Sequence, residues 1–166
     1  MIGILLVFIT AALSGEYFSK LYSVRCRLLR SIGNMLGKTA LMIRYSALPV
    51  EDIISRLASD SSLEYLDFLG NVCSELENGG DFRVIWRENL DIWHKNYPYD
   101  EEYELLAEYG RYLGTTDPEG QLDCLGSEKR KAEEFISRAE EERRTKGKLC
   151  RSMGVLIGIG AALVLL

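Results

Sequence analysis

Two uncharged apolar stretches bracket the chain, Met1 to Gly15 and Ser152 to Leu166. Between them apolar residues recur at three- and four-residue spacing, and the β-branched alternation of a strand is absent, so the pattern predicts helices throughout. Leu21, Val24, Leu28, Leu29, Ile32, Leu36, Leu41 and Ile43 mark a first helix over about 16–45, loosened near Gly33 and Gly37. Pro49 suits the first turn of a short second helix through Asp52, Ile53, Ile54 and Leu57. Ser59 to Ser62 supply caps for a third, which carries Leu63, Leu66, Leu69, Cys73 and Leu76 and stops at Asn78-Gly79-Gly80. A fourth begins near Asp81, with Phe82, Trp86, Leu90 and Trp93 on one face, and Pro98 follows it. A fifth, from about Asp100, places Tyr103, Leu106, Gly110 and Leu113 together and ends at Gly114. Asp117 caps the last helix, with Pro118 at its first position.

The charges are sorted along this frame. No acidic residue lies between Glu16 and Glu51, where six basic residues do, and none follows Glu142, where five basic residues do. Lys and Arg beside a membrane span favour the cytoplasmic side. Both apolar ends therefore read as membrane helices that hand the chain to one compartment. Each is short, since 15 residues cover only about 22 Å of a hydrocarbon core about 30 Å thick. Glu16 to Phe18 can lengthen the first, and Leu149 and Cys150 the second, with Arg151 snorkelling. Ala11 and Gly15 in the first, and Gly154, Gly158 and Ala162 in the second, have the small-residue spacing that lets helices approach in lipid. A cleaved signal peptide is the competing reading of the first stretch, at Ala12-Leu13-Ser14, but the basic residues that precede a signal core are missing.

The expected architecture is all-α. A compact cytoplasmic bundle of about six helices (19–148) has first and last helices that continue into N-terminal (1–18) and C-terminal (149–166) transmembrane helices, with both termini outside. The net charge of −5 hides the contrast between the basic flanks and residues 51–142, which hold 24 acidic and 9 basic residues. So acidic a segment is a poor nucleic-acid binder, whereas the basic flanks suit anionic lipid headgroups. Four scattered cysteines (Cys26, Cys73, Cys124, Cys150) have no metal-ligand spacing and read as reduced, small apolar residues.

Little catalytic chemistry can be assembled from these residues. His94 is the single histidine, which excludes a histidine-based triad or metal site. Gly33 to Thr39 (GNMLGKT) imitates a phosphate loop, but three residues separate its glycines where four are required, and no strand precedes it. Trp86 and Trp93 are two turns apart and read as core anchors. Asp100, Glu101, Glu102, Glu104 and Glu108 form an acidic run at a helix start, where carboxylates favour the macrodipole. The most distinctive stretch, Gly110 to Gln121 (GRYLGTTDPEGQ), combines Gly110, Gly114, Asp117 and Gln121. Two glycines there allow close helix packing and a tight turn.

With these residues in view, the whole chain resembles the stage III sporulation protein AB family. The resemblance rests on Tyr22, Arg25, Arg27, Leu28 and Ile32, on Leu48-Pro49, on the Glu104 to Gln121 segment, and on Met153-Gly154 to Gly158 before an apolar end. It implies a helical domain similar to the cytoplasmic domains of the platform proteins of type II secretion and type IV pilus systems. It further implies a non-enzymatic, membrane-anchored assembly component of the channel-like complex joining mother cell and forespore. Implied partners are the other stage III sporulation proteins, including their secretion-type ATPase. The family brings no catalytic positions, cofactor, metal or small-molecule substrate.

Partner docking on this reading falls on Glu101, Glu102, Glu104 and Glu108 and on the Gly110, Gly114, Asp117 and Gln121 corner, because acidic surfaces steer basic partners. Two other functions compete: an exported hydrolase whose first segment is a cleaved signal, and an adaptor that binds lipid surfaces through the basic flanks.

Overall fold

A computed structural model describes the backbone of residues 2–46, 48–115, 117–147 and 152, and the side chains of 20–46, 48–115, 117–146 and 152. Among the described residues the fold is all-helical. Six α-helices follow one another: α1 (Ile2–Ser46), α2 (Val50–Ala58), α3 (Phe68–Glu77), α4 (Phe82–Asn96), α5 (Asp100–Tyr112) and α6 (Pro118–Glu142). A π-helical turn, Arg143–Gly147, extends α6. Helix α1 runs unbroken through Gly33 and Gly37. The side chains of the predicted span 1–18, with Ala11 and Gly15, lie outside the described residues, as do 149–151 and 153–166 with Gly154, Gly158 and Ala162. Among the described residues no helix is long and apolar enough to cross a membrane.

The chain divides into two units, residues 1–27 with 135–166, and residues 28–134. Within the first, Arg25 of α1 pairs with Glu142 of α6 at 3.7 Å, and Lys146 Nζ donates to Glu142 at 2.6 Å. The Lys146 hydrogen bond is the main reason the Glu142 carboxyl lies below its ordinary range. Cys26 and Ala139 are buried.

The second unit holds the larger core. Helix α2 packs on α3, α3 on α4 and α4 on α5, around Leu28, Leu29, Ile32, Met35 and Leu36 of α1 and the apolar faces of the later helices. Trp86 is its meeting point. Its ring lies 5.1 Å from Phe68 of α3, edge to face, and 4.9 Å from Tyr109 of α5, and its Nε1 donates to Leu106 O at 2.8 Å. A buried indole needs that acceptor. The second tryptophan follows the same rule, Trp93 Nε1 donating to Tyr65 O at 3.1 Å. Tyr109 Oη is 3.0 Å from Thr39 Oγ1, which donates to Met35 O at 2.9 Å, so the phenol is tied to α1. Burial pushes the Tyr109 hydroxyl well above its ordinary range and keeps it neutral.

Two expectations are corrected. The third helix starts at Phe68, after a 3₁₀ turn at Ser61–Leu63. Leu63, Leu66 and Leu69 are spaced by three, the period of i→i+3 turns. Successive bonds from Leu63 N to Asp60 O (3.0 Å), Leu66 N to Leu63 O (2.8 Å) and Leu69 N to Leu66 O (3.0 Å) follow that period, and all three leucines are buried. Asp60 caps the turn by accepting from Ser62 N at 2.9 Å. In α5 the buried face is Glu102, Leu105, Leu106, Tyr109 and Gly110. Tyr103 is rotated off it, over His94 at 4.7 Å, with its hydroxyl donating to Asp91 Oδ1 at 2.6 Å. Helix α4 begins beside Asp81 as expected, and Asp81 caps it, accepting from Arg83 N at 2.9 Å and Val84 N at 3.2 Å.

Lys38 of α1 donates to Asp60 and, at 2.9 Å, to Ser62 Oγ, fastening α1 to the 3₁₀ turn. The Lys38 ammonium, then Ser62, hold the Asp60 carboxyl down at about 2. A depressed carboxyl stabilises the fold above its unfolded pKa of 3.8 and loses that contribution as pH falls through about 2. Asp60→Asn is expected to cost about 1 kcal/mol or less at pH 7, given solvent screening of the half-exposed pair. In chemical denaturation the gap between wild type and variant should close between pH 4 and pH 2, about the interval over which this carboxyl takes up its proton. A gap independent of pH would contradict the ion pair.

Candidate functional site: a charge-patterned docking face on α4 and α5

The predicted docking residues lie on α5, on the turn after it and, for Gln121, in the first turns of α6, and they do not form one surface. Four acidic residues open α5, with Asp100, Glu101 and Glu102 in its first turn, where they complement the helix dipole. Glu104 is exposed, and Glu101 and Glu108 are half-buried. Positions 101, 104 and 108 share one side of the helix by their spacing of three and four. Glu102 does not join them. It is 0% exposed among the leucines of the core, and it is engaged by its surroundings. The acidic strip is therefore exposed Glu104 flanked by half-buried Glu101 and Glu108, with Asp100 at its start beside His94 Nε2 (3.4 Å).

Gly110 is also buried. A Cβ there would come within 3.0 Å of Cδ1, Nε1 and Cγ of Trp86. Gly110 is thus the opening that lets the indole lie against the α5 backbone. Gly114 has φ +74, and a Cβ on it would meet Val50 Cγ2 at 2.7 Å. Its N–H donates to Gln121 Oε1 at 3.1 Å, while Asp117 accepts from Gly120 N at 3.4 Å through its carboxylate. The Gly110 to Gln121 corner consequently closes on itself. Gln121 and Asp117 hold the α5–α6 turn, and the small apolar gap behind it, lined by Tyr109, Leu113 and Leu125, has about 10 Å³, room for one water at most.

The sequence pattern did not point to a groove between α4 and α5, which the acidic strip reaches at Glu108. Helices α4 and α5 flank a cavity of about 340 Å³ lined by Trp86, Leu90, Tyr103, Ala107 and Gly110, with Arg83, Arg87 and the Arg111–Glu108 pair at its rim. The signal lay in the spacing: arginines at 83 and 87 alternate with the buried Trp86 and Leu90 inside an otherwise acidic segment. Among the described residues no group of three or more His, Cys, Asp or Glu is placed to hold a metal ion. Cys26, Cys73 and Cys124 are free thiols, and Cys150 lies outside the described residues.

The stage III sporulation protein AB family matches residues 1–166, and the chain belongs to that family. Stage III sporulation protein AB of Bacillus subtilis (strain 168) is 22% identical over 168 residues, covering 100% of this chain and 98% of that protein. No solved structure matches. Membership supports a sporulation-related role.

The two helical glycines separate packing from propensity. Gly110→Ala should destabilise by about 1–3 kcal/mol, because the methyl group drives into Trp86. Gly70→Ala, in α3 with open space around its Cβ position, should be stabilising by roughly 0.5–1 kcal/mol through helix propensity. Thermal melts of both variants check this, and equal shifts of the same sign would contradict the Gly110–Trp86 contact.

Proposed function

We propose that this chain is a non-enzymatic, membrane-anchored assembly component of the complex that joins mother cell and forespore. In this reading the apolar ends, 1–18 and 149–166, span the membrane, both termini lie outside, and the helical domain of 19–148 stands in the cytoplasm. Its partners are other stage III sporulation proteins, including the secretion-type ATPase, and its domain serves as do the platform domains of type II secretion and type IV pilus systems. The observation that carries the reading is the family match over all 166 residues, both apolar ends included. The basic flanks support the topology by their charge and supply contacts to anionic lipid headgroups.

The docking surface on this reading is the acidic strip of Glu101, Glu104 and Glu108. A negative strip on a helix steers basic partners and sets their orientation more than it adds raw affinity. Glu102 is left out, because a lysine in its place would bring a charge into the core and unfold α5 rather than test docking.

The double variant Glu101→Lys/Glu104→Lys in the full chain tests the strip. It should keep the wild-type circular dichroism and melting behaviour while recovery of partner proteins from sporulating cells falls about tenfold or more. Spore formation should fall with it. Undiminished recovery by the folded variant would remove the acidic strip from the docking surface.

A further inference from the structure

The groove between α4 and α5 has a charge opposite to that of the segment in which it lies. Residues 51–142 hold 24 acidic and 9 basic residues, yet three of the nine, Arg83, Arg87 and Arg111, surround this one cavity. Arg111 is already paired with Glu108 and lies over the Tyr112 ring at 5.0 Å. Arg83 and Arg87 are exposed and enter no ion pair among the described residues. In so acidic a surrounding, arginines left without carboxylate partners are available to an outside anion. Trp86 and Leu90, 2% and 1% exposed, close the bottom of the groove, and the accessible apolar surface belongs to half-buried Tyr103 and Ala107 of α5.

The geometry points to an acidic amphipathic helix of another protein as the occupant: we propose that the α4–α5 groove receives such a segment. Arg83 and Arg87 are one helical turn apart, about 5–6 Å between Cβ atoms, which matches carboxylates at i and i+4 on a facing helix. Residues 83–90 extend about 10 Å along α4, room for two turns of a ligand helix. An aliphatic or aromatic side chain between those carboxylates would lie against Tyr103 and Ala107, the arrangement of a helix-in-groove complex. The volume of about 340 Å³ is enough for such an anchor. Arginine suits the rim, since its planar fork takes a carboxylate with two hydrogen bonds. A lone phosphate or lipid headgroup would use the arginines but leave Tyr103 and Ala107 uncovered. Nucleic acid is disfavoured by the acidity around the groove. This surface adjoins the acidic strip at Glu108, which lines the groove and pairs with Arg111, and it draws on Arg83 and Arg87 of α4 rather than on Glu101 and Glu104.

Site-specific photocrosslinking in the full chain tests the proposal. A photoreactive amino acid replaces Ala107, which lines the groove, and adducts formed in sporulating cells are sequenced by mass spectrometry. The expected adduct is a segment of a different protein with carboxylates at i and i+4 flanking an apolar residue. Arg83→Glu/Arg87→Glu should lower its yield about tenfold or more, and charge reversal of the two carboxylates in the captured segment should restore it. Arg56→Glu/Lys95→Glu, which changes the net charge equally at exposed positions outside the groove lining, should leave the yield unchanged, as should Glu101→Lys/Glu104→Lys. An adduct to a second copy of this chain, to lipid alone or to no protein would overturn the proposal. So would equal losses in the groove and control variants, or a failure of the reciprocal reversal.

Discussion

The Trp86 indole is the interaction on which the 28–134 unit depends. Its faces and edges meet Phe68, Phe82 and Tyr109, its N–H is satisfied by Leu106 O, and Gly110 gives it room against the α5 backbone. One side chain thereby fixes α4 against α3 and α5 at once. A buried tryptophan is worth about 3–5 kcal/mol on truncation, a sizeable part of the roughly 5–15 kcal/mol that holds a domain together. Surface pairs such as Lys38–Asp60 contribute far less and choose register rather than stability. Tyr109 carries the same network to α1 through Thr39.

That buried arrangement decides which charges reach the surface. With Trp86 against Gly110, the Leu105–Leu106–Tyr109 side of α5 must face inward, and Glu102 is carried in with it. Glu101, Glu104 and Glu108 remain outside, and the arginines of α4 are left along the rim above the indole. A negative strip and an arginine rim thus meet along one helix, at Glu108 and Arg111. They are set by packing, so their relative placement persists without a partner, which lowers the ordering cost of docking.

Much of this was legible in the sequence. The number and order of helices, the start of α4 near Asp81, the Gly114 turn and the placement of both tryptophans in the core follow from periodicity and turn chemistry. What was not legible has identifiable causes. The leucines at 63, 66 and 69 fit a helix and a run of i→i+3 turns almost equally well, and the Asp60 cap with the Trp93–Tyr65 hydrogen bond decides for the turns. The face of α5 slipped because a glutamate at 102 reads as solvent-facing until tertiary packing places it among leucines. Gly110 and Gly114 drew notice as a motif, and both act on the fold, one beneath Trp86 and one at positive φ. The Arg83–Arg87 rim went unnoticed because isolated arginines in an amphipathic helix look like ordinary solvated positions.

The central claim is that this domain stands in the cytoplasm between two membrane spans, and substituted-cysteine labelling tests it most directly. Native Cys26 is unsuited to the purpose, since burial would shield it from reagent on either side of a membrane. The exposed Glu104 position is suitable, as Glu104→Cys in a full chain whose four cysteines are replaced by alanine or serine. A membrane-impermeant maleimide should label this cysteine in permeabilised cells and leave it unmodified in intact ones. Ready labelling in intact cells would place the domain outside and contradict the account.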